Sequence, residues 1–257
     1  MQRYRARRVL SAFRGSSWPV LVDAGARRVV VKLRGTAEGR LPLVAELVVG
    51  ALADALGLLT PARCLVDIDA ALPSDDPHEE LRDLLDRSVG LNLGLAYLEG
   101  FRNVTPADAA RIAPELAAQI VWLDALVENP DRSPRNTNLM IRAGQIQLID
   151  HGAALGFHYD WAGVNEQTPR EPGSFVEPHL LAVTEAQLRE ADAALAPRLT
   201  RAALEAALAE VPDDFLSSGS EPPDRLRAAY VAYLWKRLKE PRPFVAPGRL
   251  LPFQRER

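Results

Sequence analysis

Cysteine is almost missing from this sequence, which has one, Cys64, in 257 residues. A single cysteine excludes an internal disulfide framework and is typical of proteins in a reducing compartment. Long apolar runs are missing as well. No stretch of about 18 uncharged apolar residues predicts a membrane span, and the first residues lack the apolar core of a signal peptide. These absences predict a cytoplasmic protein without a membrane span.

Neither sign of charge dominates the chain. Its 31 Lys and Arg residues and 34 Asp and Glu residues leave a net charge of −3, so composition does not indicate nucleic acid as a partner. Lysine itself is scarce, because the other basic residues are arginine and only Lys32, Lys236 and Lys239 occur. Lys32 stands at the end of an apolar, β-branched segment. A lone lysine there is a candidate for a specific role.

The densest group of polar side chains lies in residues 129–152. A proline-broken loop carries Asp131, Asn136 and Asn138, and a predicted hairpin with strands at 139–141 and 146–149 ends on Asp150. The hairpin brings two carboxylates and two amides to one end. In phosphoryl transfer one acid orients and deprotonates a hydroxyl, while an amide and a second acid hold Mg²⁺ on the phosphates. Taken alone, however, the loop is also rich in ordinary turn formers.

The amino-terminal part predicts a small antiparallel sheet followed by a helix. Alternating and β-branched segments predict strands, and apolar residues at helical spacing predict a helix over 43–58; the strands lie at 8–13, 19–23 and 28–33. The turn Gly15-Ser16-Ser17 can expose backbone N–H groups to phosphates. Glu46, 14 residues after Lys32, can pair with that lysine and aim its ammonium at phosphates. Taken alone, Glu46 is also an ordinary acid near a helix start.

A change in character near residue 100 predicts two lobes. Residues 89–100 are typical of a strand that passes into a connector, where backbone groups around Leu98 could bind an adenine edge. From residue 105 onward the pattern is mainly helical. The predicted fold class is therefore α+β, with a nucleotide-binding lobe at 1–100 and a helical lobe at 101–257.

The order of these features resembles the protein-kinase-like fold. Residues 131–136 resemble the Asp-x-x-x-x-Asn catalytic loop, and Ile149-Asp150-His151-Gly152 resembles the metal-binding Asp-Phe-Gly segment. Together with Val31-Lys32-Leu33-Arg34-Gly35 and Leu43-Val44-Ala45-Glu46-Leu47, they make the chain similar to the HipA-like kinase-domain family. The resemblance covers roughly residues 8–160.

The family resemblance implies a role for each matching residue. Lys32 would contact the α- and β-phosphates of ATP and pair with Glu46. Asp131 would orient the attacking hydroxyl or accept its proton. Asp150 would bind Mg²⁺ with help from Asn136, which keeps the family spacing, or from Asn138. A Gly-x-Gly-x-x-Gly loop is lacking, so the 15–17 turn would serve instead.

The resemblance implies an ATP- and Mg²⁺-dependent atypical kinase. It would transfer the γ-phosphoryl group to a hydroxyl of an unknown substrate, for which a protein serine or threonine is one candidate. Two alternatives remain open. One is a pseudokinase that binds nucleotide as a regulatory module. The other is a small-molecule phosphotransferase resembling aminoglycoside kinases, which is disfavoured because Asn-Pro-Asp replaces the usual His-Gly-Asp.

Overall fold

The computed structural model describes residues 1–13, 18–25, 27–172, 178–217 and 221–245. They form an α+β fold with a six-stranded sheet, a three-stranded sheet and a helical carboxyl-terminal part, which confirms the predicted fold class. The strands are β1 (Arg3–Arg5), β2 (Arg8–Ala12), β3 (Val20–Asp23), β4 (Arg28–Lys32), β5 (Arg63–Ile68), β6 (Gly90–Ala96), β7 (Arg102–Asn103), β8 (Leu139–Arg142) and β9 (Gln145–Leu148). The helices are α1 (Leu41–Leu56), α2 (Glu79–Arg87), α3 (Pro106–Ala109), α4 (Pro114–Leu126), α5 (Glu185–Leu195), α6 (Arg201–Ala209), α7 (Asp213–Leu216) and α8 (Pro223–Arg237).

The larger sheet has the strand order β1-β5-β6-β4-β3-β2. Its neighbouring strands are antiparallel except β1 and β5, which are parallel. The predicted antiparallel sheet is thus present, and β1 adds a parallel edge that the sequence did not predict. Residues 3–5 are too few to display a strand period, and an ion pair of 2.6 Å between Arg3 and Asp67 helps to hold them. On β4 the register places Lys32 opposite Leu93 of the neighbouring β6.

Helix α1 connects strands β4 and β5 of the larger sheet and packs against carboxyl-terminal helices. It contacts α6 and α7 and belongs to the larger apolar core, whereas the face of the sheet with α2 encloses a smaller one. The helix ends at Gly57, whose φ of 77° is the left-handed conformation that glycine adopts without steric cost. Because most of α1 is buried, Glu46 enters the interior with a relative exposure of 3%.

The smaller sheet has the order β7-β8-β9, and β8 and β9 form the predicted hairpin. Strand β7 was not predicted because two residues are too short to display a period. At the open end of the hairpin, the Ile149 N–H donates to the Asn138 carbonyl over 3.1 Å. This bond fixes the loop that carries Asp131 beside the segment that carries Asp150.

The polar composition of residues 212–224 predicts a linker, but residues 213–216 form α7. Phe215 and Leu216 of this short helix are buried in the larger core, which stabilises the helix. Among the helices of the described residues, none has the length and apolarity that a membrane span requires.

Candidate active site

Lys32 joins two carboxylates that come from distant parts of the chain. Its ammonium group donates to Glu46 Oε1 of α1 and lies 2.5 Å from Asp150 Oδ1, after β9. Burial alone lowers the pKa of Lys32, but the charges and hydrogen bonds of the two carboxylates outweigh it and hold that pKa above its ordinary value. The two carboxylates therefore favour the charged form of Lys32 at the base of a cleft.

Glu46 also holds the segment that carries Asp150. Its Oε1 accepts the backbone N–H of His151 over 2.7 Å, and His151 Nδ1 lies 3.4 Å from Glu46 Oε2. Burial raises the pKa of Glu46, but the Lys32 charge and the His151 hydrogen bond outweigh burial. The pKa therefore lies below its ordinary value, and the carboxyl stays ionised. Asp150 itself has a φ of 57°, a left-handed conformation that aspartate tolerates better than most residues. Glu46 thus fixes both Lys32 and the backbone next to Asp150.

Asp131 is oriented by three asparagines. Asn136 Nδ2 lies 2.9 Å from each Asp131 oxygen, and Asn138 Nδ2 lies 3.1 Å from Oδ2 and 2.7 Å from the Asp131 carbonyl oxygen. The Asp131 N–H donates to Asn129 Oδ1 over 3.2 Å. Asn136 and Asn138 therefore turn the nitrogen of the carboxamide, not the oxygen, toward Asp131. The carboxylate is held in one position without a cationic partner among these contacts.

A buried ion pair supports the loop from below. Arg132 Nε lies 2.6 Å from Asp124 Oδ2, with both side chains fully buried, and Arg132 Nη1 donates to the Asn138 carbonyl. Asn129 Nδ2 donates to Asp124 Oδ1 over 2.8 Å, and His179 Nε2 lies 2.9 Å from Oδ2. Although burial raises the pKa of Asp124, the Arg132 charge and the His179 bond hold it below its usual range. We refer to Asp124, Asn129, Arg132 and His179 as the loop support.

A cleft opens above these groups and has two chemically different halves. The polar half has a volume of about 550 Å³. Its lining includes Lys32, Asp131, Asn136 and Asp150. The adjoining apolar half, of about 480 Å³, shares Lys32 and Asp150 and is otherwise walled largely by apolar side chains: Val30, Leu95, Leu98, Met140 and Ile149. A flat apolar ring would suit the apolar half, whereas a polyanionic chain would need a cation beside the carboxylates of the polar half.

Comparisons with known proteins agree with this geometry. A family model described as HipA-like kinase matches residues 23–226. The chain belongs to the HipA-like kinase family. The crystal structure of a Helicobacter pylori proinflammatory kinase, CtkA, superposes with a TM-score of 0.51 at 12% sequence identity, covering 89% of this chain and 93% of that one. At that identity the likeness concerns the fold alone. No curated protein matches the chain in sequence.

The kinase fold brings most of the predicted site residues together. Lys32, Asp131, Asn136 and Asp150 line one half of the cleft, and Leu98 lines the other. Glu46 lies behind Lys32, and Asn138 is buried beneath Asp131. The predicted phosphate turn, Gly15-Ser16-Ser17, lies outside the described residues. The two asparagines therefore differ in position, since only Asn136 is among the residues that line the cleft.

Sequence reasoning found the loop support only in part. Asp124 borders the apolar face of the predicted helix, where a surface ion pair or a support for the following loop was expected. Its relative exposure of 0% excludes the surface role, and its contacts with Asn129 and Arg132 show the support. The available signal was an acid within the otherwise apolar second half of helix α4, residues 120–126, eight residues before an arginine. His179 had no such signal because it reaches Asp124 from 55 residues away.

Proposed function

We propose that this protein is an ATP- and Mg²⁺-dependent kinase that transfers the γ-phosphoryl group to a hydroxyl. One observation carries the proposal. Lys32 bridges Glu46 and Asp150 at the base of the same cavity that Asp131 and Asn136 line. A cation for phosphates, an acid for a metal and an acid for a hydroxyl are the three elements that phosphoryl transfer requires.

The two halves of the cleft suit the two parts of the nucleotide. The adenine would occupy the apolar half, where Leu98 follows strand β6 and the backbone offers hydrogen-bonding groups. The phosphates would then extend past Lys32 into the polar half. Lys32 has three N–H donors, of which the buried Glu46 holds one, so the others can turn to phosphate oxygens when a metal takes Asp150.

The residues around Asp150 fit a magnesium ion by the chemistry of their donors. Mg²⁺ prefers oxygen ligands and commonly uses one or two protein side chains together with substrate phosphates. Asp150 offers a carboxylate whose side chain is 40% exposed, and Asn136 offers a carboxamide at the same cavity. We propose these two as the protein ligands, with Asn138 as the alternative amide. A bound magnesium ion would neutralise charge on the transferring phosphoryl group.

Asp131 would act on the acceptor. Its carboxylate takes the hydroxyl proton while the hydroxyl oxygen bonds to the γ-phosphorus and the bond to the β,γ-bridging oxygen breaks, which releases ADP. The amides of Asn136 and Asn138 hold the carboxylate in place for this transfer. Positioned general bases typically contribute about 10²- to 10⁴-fold in rate.

The Asp131→Asn variant tests the assignment. We expect turnover of ATP to fall at least about 100-fold while the affinity for ATP with Mg²⁺ stays within about twofold, because Asp131 acts on the hydroxyl and not on the nucleotide. Asp86→Asn, on the exposed face of α2, is the matched control and should leave both quantities unchanged. Undiminished turnover in the Asp131 variant would contradict the proposed role.

The acceptor class is tested by labelling. Incubation of the kinase with radiolabelled ATP and a cell lysate should label protein if the acceptor is a protein serine or threonine, which we propose as the first class to examine. Label in a small metabolite would favour the small-molecule phosphotransferase instead. Binding of ATP without any turnover would favour a pseudokinase. We also retain the cytoplasmic location predicted from the single cysteine.

A further inference from the structure

The loop between β4 and α1, residues 33–40, forms part of the wall of the cleft. Leu33, Thr36 and Glu38 of this loop line the polar half, on the chain segment that directly follows Lys32. The position of the loop therefore shapes the space beside the proposed phosphate site.

The sheet side of the molecule holds the first residues of this loop. The Arg34 N–H donates to Oδ1 of the buried Asn92 over 2.8 Å, and the Gly35 N–H donates to Ser88 Oγ over 3.1 Å. A Cβ atom at Gly35 would lie 2.7 Å from Ser88 Oγ and 2.8 Å from the backbone carbon of Arg87. The loop is thus pressed against the end of α2, where only glycine fits.

Asp214 of α7 holds the loop from the opposite side. Arg34 Nη1 and Nη2 lie 2.6 Å and 3.4 Å from the two Asp214 carboxylate oxygens. Arg40 Nη1, at the start of α1, donates to the Asp214 carbonyl over 2.6 Å. One residue thereby ties both ends of the loop, and it is a firm anchor because its neighbours Phe215 and Leu216 are buried in the core.

We propose that Asp214 is a positioning residue for nucleotide binding. It fixes the β4–α1 loop in advance, so that the wall made by Thr36 and Glu38 need not be ordered when the nucleotide binds. A wall that is already in place avoids the conformational entropy loss that binding would otherwise incur. This inference rests on the proposed function, because it assumes that ATP occupies the cleft.

A pair of neighbouring substitutions tests the inference. Asp213 pairs with Arg227 instead of with the loop, so Asp213→Asn is a matched control for Asp214→Asn. We expect Asp214→Asn to weaken binding of a non-hydrolysable ATP analogue with Mg²⁺ by about three- to tenfold, since preorganisation is lost. Amide hydrogen exchange in residues 33–40 should accelerate by about tenfold or more, because local opening becomes easier. Asp214→Glu, which keeps the carboxylate, should restore most of both quantities.

The outcomes separate this inference from the proposed function. Equal effects of Asp214→Asn and Asp213→Asn, or a lower melting temperature with unchanged affinity and exchange, would overturn the positioning role. If the wild-type protein failed to bind the analogue, both the proposed function and the role in nucleotide binding would fall. If it bound the analogue while exchange in residues 33–40 did not respond to Asp214→Asn, the positioning role alone would be wrong.

Discussion

Replacing Asp124 with asparagine should be among the most destabilising single substitutions in this protein. The change keeps the size of the side chain but removes the charge that faces Arg132 over 2.6 Å, and both side chains have an exposure of 0%. Arg132 would keep its bond to the Asn138 carbonyl but would become a buried cation without a carboxylate. Breaking one partner of a buried pair costs about 3–5 kcal/mol.

That cost is a large share of the free energy of unfolding of a whole domain. Single domains are stable by about 5–15 kcal/mol, and about 1 kcal/mol shifts the melting temperature by roughly 2–4 °C in a chain of this size. The Asp124→Asn variant should therefore melt about 6–20 °C below the wild type. Urea denaturation followed by circular dichroism should give a lower midpoint at an unchanged m-value.

A control and a pH series sharpen the measurement. Glu205→Gln removes the exposed ion pair with Arg201 and should cost at most about 0.5 kcal/mol. Because the pKa of Asp124 is lowered in the folded state, its contribution is present above the unfolded pKa of about 3.9 and is lost as the pH falls through the folded value. The difference in free energy of unfolding between the Asp124→Asn variant and the wild type should thus become smaller below about pH 4. A loss under about 1 kcal/mol at neutral pH would refute the argument that Arg132 depends on Asp124.

Three further substitutions probe other parts of the molecule. Lys32→Ala should abolish ATP binding yet raise the affinity for Mn²⁺ alone by about two- to fivefold in electron paramagnetic resonance titrations, because Asp150 loses the ammonium 2.5 Å away; a lower Mn²⁺ affinity would contradict this. Burial lowers the pKa of His158 to about 3, so the free energy of unfolding should fall by up to about 1.4 kcal/mol per unit as the pH drops from 6.5 to 5. His158→Gln should flatten that slope, and an unchanged slope would exclude His158 as its cause. Gly94→Ala should cost about 1–3 kcal/mol in urea denaturation, because its Cβ would lie 2.6 Å from Cys64 Sγ. Part of that cost should disappear in the double variant with Cys64→Ala, whereas additive effects would exclude this overlap.

The sequence was informative where the local pattern itself singles out a residue. A lysine at the end of the β-branched strand β4, and the order in which Glu46, Asp131 and Asp150 follow it, were enough to predict the cleft. Lys32 and Glu46 lie on regular elements and Asp150 follows one closely, so strand and helix periods place them, whereas Asp131 lies in a loop and was found by its motif. The order of the elements then decides which ends meet.

What the sequence could not indicate depends on long-range burial. Arg3 to Arg5 forms a strand only because β5 lies beside it, and α7 forms because Phe215 and Leu216 reach the core between α1 and α8. The partners of Asp214 and His179 lie 180 and 55 residues away along the chain. No local period encodes such pairs, since the residues adjacent in sequence do not show whether a polar side chain lies on the surface or in a buried network.

The groups proposed to act on substrate already have partners within the protein. Lys32 is paired with Asp150, and Asp131 accepts hydrogen bonds from Asn136 and Asn138. Binding of nucleotide and metal would therefore exchange partners, because a phosphate would take Lys32 while a cation takes Asp150. Either exchange alone leaves one charge of the Lys32–Asp150 pair without its partner, and both together leave neither. It follows that each ligand should increase the affinity for the other, and by thermodynamic linkage the two increases must be equal. Glu46, which contacts neither ligand in this arrangement, keeps Lys32 charged and the His151 backbone in place throughout the exchange.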